Sequence, residues 1–140
     1  MSDRFPRDVF VDTSFWFAAL EPNDVNHDPA GALIEQARAS STVFHVTREI
    51  VGETLTLLRY RSGARSALTF LEVVLPTLDV VATDHAIHGV ALEVFRRLSP
   101  RRRLSYIDAL SFVVIRERLD DMACLAFDRD FRAFGLTVLA

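Results

Sequence analysis

An α/β fold with a mostly parallel central sheet is predicted by three observations. Short β-rich runs alternate with segments of helical length from one end of the chain to the other, the pattern of a sheet whose strands are joined by helices. No internal repeat and no linker divides the sequence, so 1–140 reads as a single domain, an ordinary length for one. Half of the 140 residues are hydrophobic, enough to build a core at this size and too many for a disordered chain.

The elements follow in order. Val9, Phe10 and Val11 form a continuous apolar run, so residues 8–11 read as a buried strand. "TSFWFAAL" opens a short helix with Thr13 or Ser14 near its start, and the Pro, Asn and Asp of "EPNDVNHDP" make residues 21–29 a loop. A helix is expected over 30–39 and a strand over 41–46; Thr47 then reads as the N-cap of a helix over 48–60. After the "RSG" punctuation, residues 64–75 read as a helix ended by Pro76. "LDVVA" is a strand, Asp84 caps a helix to about Leu98, and "SPRRRL" is a basic turn. Ser105 begins a helix to about Leu119; "MACLAF" is a strand, "DRDFRAF" a turn with a short helix, and "LTVL" a closing strand.

Composition excludes several classes. The net charge of −3 argues against a strongly basic nucleic-acid glove. All 16 basic residues are Arg, so lysine chemistry (a Schiff base or a P-loop ammonium) is excluded, while bidentate phosphate binding by Arg remains open. The single Cys124 excludes an internal disulfide and a cysteine-based metal cluster, and reads as core filling. No apolar run reaches the roughly 18 residues of a membrane span, and the polar start "MSDRFPRD" is a poor signal peptide, so a cytoplasmic protein with no membrane association is expected.

The acids carry the chemistry. In open parallel sheets, ligands bind beyond the carboxyl ends of the strands. Asp12 directly follows the first strand and Asp128 directly follows "MACLAF". Taken alone, each also reads as a helix N-cap. Glu53, in "REIVGETLTLL", shares a helix side with Ile50, Leu57 and then Tyr60 or Arg61. Asp108, in "LSYIDALSFVVI", shares one with Leu104, Ser111, Phe112 and Ile115. Neither has a basic partner three or four residues away, so an intrahelical ion pair explains neither; a backbone-bonded buried acid is the plainer alternative. Four uncompensated carboxylates at one place would repel one another, and carboxylate oxygens are the ligands of hard cations such as Mg²⁺ and Mn²⁺. A cation would also explain why an acid stands at Asp12, where the pattern calls for core. Such sites orient a water against a phosphodiester.

These stretches, "VFVDTS", "TREIVGETLTLL", "LSYIDALSFVVI" and "LAFDRDF", resemble in order the four acidic motifs of PIN-domain nucleases, with the VapC-type toxins of bacterial toxin–antitoxin pairs the nearest likeness. The resemblance runs from Asp12 to Phe131. It maps the catalytic and metal-binding acids onto Asp12, Glu53, Asp108 and Asp128, with Asp130 as a competitor for the fourth place, and the auxiliary hydroxyl onto Thr13 or Ser14. Many members carry Ser or Thr shortly before the fourth acid; here those positions are Ala126 and Phe127. The resemblance implies a three-layer α/β/α sandwich, Mg²⁺- or Mn²⁺-dependent endoribonuclease activity, a small VapB-like antitoxin as partner and a homodimer. Nuclease action in RNA processing without an antitoxin, and a non-catalytic PIN-like binding module, are the alternatives.

Arg101, Arg102 and Arg103 precede the helix of Asp108 and read either as a solvated turn or as an RNA-backbone contact beside the metal. His27, His45, His85 and His88 are given no catalytic role, and Phe15, Trp16 and Phe17 are read as packing rather than base stacking. A receiver-type phosphoacceptor domain needs a late lysine, which is absent; a haloacid-dehalogenase-type phosphatase needs D-x-D where this chain has Asp12, Thr13 and Ser14.

Overall fold

The computed structural model describes residues 4–140. Four parallel strands form the sheet in the order β3-β2-β1-β4. In chain order the elements are β1 (Asp8–Val11), α1 (Thr13–Leu20), α2 (His27–Ala39), β2 (Val43–Thr47), α3 (Arg48–Arg61), α4 (Ala64–Thr69), β3 (Asp79–Val81), α5 (His85–Leu98), α6 (Tyr106–Arg118), β4 (Cys124–Leu125) and α7 (Arg129–Ala133). Strand β1 is central, and Val9, Phe10 and Val11 are fully buried in it.

The layering follows from the order. The steps β1→β2→β3 move across the sheet in one direction and the crossover β3→β4 moves back in the other. Right-handed connections then place α1–α4 on one face and α5–α6 on the opposite face. The observed packing agrees: α1 packs on α2 and α3, α3 on α4, and α5 along α6. The chain is thus a three-layer α/β/α sandwich. Its topological switch point lies between β1 and β4, whose carboxyl ends carry Asp12 and Asp128, and that crevice is where such sheets bind ligands.

Several boundaries differ from the sequence reading. Helix α2 starts at His27, not Ala30, because Pro29 falls in its first turn, where a missing N–H costs nothing. The helix expected over 64–75 changes character midway: α4 ends at Thr69, and Phe70–Val74 continues as a π-turn into a 3₁₀ turn at Leu75–Thr77. Pro76 cannot donate to the carbonyl of Glu72 and its ring crowds it, so the α pattern fails before the proline is reached. The strand expected over "MACLAF" is confined to Cys124–Leu125. Beyond it the chain turns away, and the Phe127 N–H donates to the Ser14 hydroxyl (3.0 Å) instead of to a neighbouring strand. With β4 so short, "LTVL" finds only a bridge between Val138 and Cys124. Cys124 is fully buried, as expected of a core filler.

Candidate functional site

The sheet delivers Asp12 and Asp128, and the two flanking layers deliver Glu53 and Asp108. All four line one cleft of about 340 Å³, together with Thr13, Ser14, Leu57 and Ser105. The residues singled out in the sequence therefore converge, and the two readings of the acids turn out to be compatible. Asp12 is the N-cap of α1, and its Oδ2 accepts from the Ser14 N–H (3.1 Å) and the Ser14 hydroxyl (2.7 Å). Asp128 is the N-cap of α7, accepting from the Asp130 N–H (2.9 Å) through Oδ1. Asp108 closes a capping box: its Oδ2 accepts from the Ser105 N–H (3.0 Å) while the Ser105 hydroxyl accepts from the Asp108 N–H (3.1 Å). Each of these three acids spends one oxygen on a helix start.

What the remaining oxygens lack is the telling feature. Asp12 is 3% exposed, and its Oδ1 is buried with no hydrogen-bond partner among the described residues. A buried charged acceptor left without a partner costs roughly 1–3 kcal/mol or more. Burial pushes the Asp12 carboxyl up to about 7, against the pull of the Ser14 hydrogen bonds and with the help of Asp108 and Glu53. Asp108 is pushed up to about 6, first by burial and then by Asp128 and Glu53. Burial and Asp128 also raise Asp130, which Arg102 pulls down. One carboxylate oxygen from each of Asp108, Asp128 and Asp130 lies within 4.8 Å of the others, so the turn supplies two acids rather than one. Oxygen-only donors, an orphaned buried carboxylate oxygen and mutual repulsion fit a hard divalent cation.

The hydroxyls divide the work. Ser14 touches the acid and ties it to the β4 turn by accepting from Phe127 N–H. Thr13, also on the cleft wall, accepts from the Thr54 hydroxyl (3.1 Å). Glu53 shares the cleft wall with Leu57 as expected, but the buried stripe of α3 is Ile50, Thr54 and Leu58, and Tyr60 and Arg61 are exposed. Glu53 stands one residue off that stripe, half-buried on the cleft wall beside Leu57. Arg101, Arg102 and Arg103 are exposed in the turn before Ser105 and do not line the cleft; of the three, Arg102 acts on Asp130. Phe15 and Trp16 are packed in the core, as expected. His27 Nδ1–H donates to the Ala18 carbonyl, and His45 sits between Asp8 and Asp79. Ser105 and Leu57 were not singled out as site residues; the S-x-x-D spacing of Ser105 and Asp108 is the signal that marks the first.

The PIN-domain family model matches residues 9–135. The 23S rRNA-specific endonuclease VapC20 of Mycobacterium tuberculosis is 35% identical over 129 residues, 91% of this chain and 94% of that one. Its crystal structure, described as that of a Sarcin-Ricin loop cleaving toxin, superposes with a TM-score of 0.78, covering 92% of this chain and 96% of that one at 31% identity. A VapC ribonuclease of Archaeoglobus fulgidus is 34% identical over 112 residues, 78% of this chain and 70% of that one.

Proposed function

The chain belongs to the PIN-domain family, in its VapC branch, and we propose that it is a metal-dependent endoribonuclease acting as the toxin of a toxin–antitoxin pair. The observation that carries the catalytic reading is the orphaned Oδ1 of Asp12 in a cleft shared with Glu53, Asp108 and Asp128. Asp12, Glu53, Asp108 and Asp128 would hold Mg²⁺ or Mn²⁺, the three aspartates through the oxygens their helix caps leave over, with Asp130 within reach. When bound, the cation supplies charge neutralisation of a phosphodiester and acidifies a water.

The protein's own groups do the rest. Ser14 fixes the Asp12 carboxylate in one orientation and ties the β1 edge of the cleft to the β4 edge. The Ser105 capping box does the same for Asp108. Arg101, Arg102 and Arg103 offset the acidic cleft for an approaching RNA backbone. Because the VapC20 relative is named for 23S rRNA, that RNA is the first substrate to test. A small VapB-like antitoxin and a second copy of the chain are the proposed partners.

The test is direct. Protein freed of any antitoxin should cleave RNA with Mg²⁺ or Mn²⁺ and be silent in EDTA, and Asp108→Asn should be silent in both. Undiminished cleavage in EDTA would remove the acid-cluster mechanism. Co-expression with the product of a small neighbouring reading frame should relieve toxicity, and light scattering should report twice the mass of one chain.

A further inference from the structure

Glu53 and Asp108 come from helices on opposite faces of the sheet, so their separation depends on how α3 and α6 are held relative to each other. A second polar cluster bridges those helices. Glu49 lies on α3 one turn before Glu53, and Tyr106 is the first residue of α6, two before Asp108. Between them stand Thr83, in the loop after β3, and His88 of α5. The Thr83 hydroxyl lies 2.9 and 3.0 Å from the two Glu49 carboxylate oxygens. His88 Nε2 is 3.2 Å from the Thr83 hydroxyl, and His88 Nδ1 is 2.5 Å from the Tyr106 hydroxyl.

Donors and acceptors can be assigned along this chain. A carboxylate only accepts, so the Thr83 O–H is spent on Glu49. The Thr83 oxygen can then only accept, so His88 Nε2–H is its donor, and the same nitrogen lies 3.4 Å from the Glu49 carboxylate. At the other end of the ring Nδ1 is paired with the Tyr106 hydroxyl. Every member has a partner, which makes the linkage stiff. The tyrosine ring is further held edge-on against Phe95, with centroids 6.4 Å apart. The cluster lines no part of the acid cleft, yet it stands at the same sheet edge.

We propose that Glu49, Thr83, His88 and Tyr106 form a cross-tie between the two helical layers that sets the spacing of Glu53 and Asp108, making them positioning residues for the divalent cation. The inference rests on the metal-dependent reading above. Its test measures Mn²⁺ affinity by titration calorimetry, alongside the thermal midpoint in EDTA, for wild type, Tyr106→Phe, Thr83→Val, Glu49→Ala and Glu49→Gln. The first two are isosteric and keep the packing. Tyr106→Phe, Thr83→Val and Glu49→Ala should weaken Mn²⁺ binding by about tenfold, the lower end for losing support behind a ligand. Glu49→Gln loses the same charge as Glu49→Ala but still accepts from Thr83, so it should bind nearly as wild type does. Unchanged Mn²⁺ affinity in Tyr106→Phe and Thr83→Val, whatever their melting temperatures, would overturn the cross-tie, as would a glutamine variant as impaired as the alanine. Wild type that binds no Mn²⁺ would overturn the metal reading and the cross-tie with it.

Discussion

Asp12→Asn should make the metal-free protein more stable, and by an amount that depends on pH in a calculable way. Asparagine keeps the shape and the capping acceptor for Ser14 and removes the charge that burial disfavours. The Asp12 carboxyl sits at about 7 in the fold, against an ordinary value of 3.8. Between those values the folded state binds more protons than the unfolded one, so its contribution to stability is intact at low pH and is lost as pH rises through 7. From about pH 5 to about pH 7 roughly two units act in full, worth about 2.7 kcal/mol at about 1.4 kcal/mol each. Asparagine does not titrate, so the advantage of the variant should widen by that amount, or by about 9 °C of melting temperature for 140 residues. Asp108 titrates in both proteins and largely cancels in the difference. Urea or thermal unfolding in EDTA at about pH 5 and about pH 8 reads it out. A difference that is flat with pH, or an asparagine variant less stable at pH 8, would show that the carboxylate is a settled structural acceptor and that the orphaned oxygen carries no strain.

The other predictions follow from the same geometry. Mn²⁺ binding at about pH 6.5 should release about one proton, since Asp12 at about 7 and Asp108 at about 6 are together about half protonated there; calorimetry in two buffers of different ionisation enthalpy measures the number, and zero release would contradict the shifts. Ser14→Ala removes a donor from Asp12 and strands the Phe127 N–H, so it should lower stability by about 1–3 kcal/mol and cut RNA cleavage, both read on one preparation. Replacing Arg101, Arg102 and Arg103 together by Ala should weaken RNA binding and flatten its salt dependence, by about 0.7 in the log–log slope for each single-strand phosphate that is no longer neutralised; an unchanged slope would return the turn to a solvated role.

Much of this was legible in the chain because its signals are local. The strand β1 and the acid after it are marked by an apolar run cut off at Asp12, and the helices α3, α5 and α6 by caps at Thr47, Asp84 and Ser105, each of which accepts a backbone N–H as its position predicts. What was not legible depends on partners distant in sequence. "MACLAF" carries apolar residues enough for a full strand, yet only Cys124 and Leu125 pair, since the Phe127 N–H goes to a serine 113 positions away. The buried face of α3 could not be read from periodicity, because Leu57 belongs to the cleft wall and Thr54, a polar residue, belongs to the buried stripe. Whether Asp128 or Asp130 is the fourth acid had no answer in the sequence; a single turn presents both toward Asp108.

The arrangement also explains how a fold tolerates several acids at its core edge. A carboxylate has two oxygens, and in Asp12, Asp108 and Asp128 one of them closes a helix start whose N–H groups would otherwise go unmatched. The hydrogen bonds from Ser14 and Ser105 at two of those starts pull the Asp12 and Asp108 carboxyls down, against the larger push of burial. The second oxygens cannot be satisfied that way, because capping geometry fixes which oxygen faces the helix and leaves the other facing the cleft. Replacing an acid by alanine would therefore remove a cap and a repulsion at once, with effects of opposite sign, whereas the amides keep the cap and remove only the repulsion. That is why the charge-neutral amide variants, and not the alanines, separate the helix-starting role of these residues from the role toward a cation proposed for them. The same division predicts the direction of linkage: a cation that binds only the folded cleft stabilises the fold in proportion to the logarithm of its concentration, and each amide substitution should shrink that stabilisation while raising the metal-free baseline.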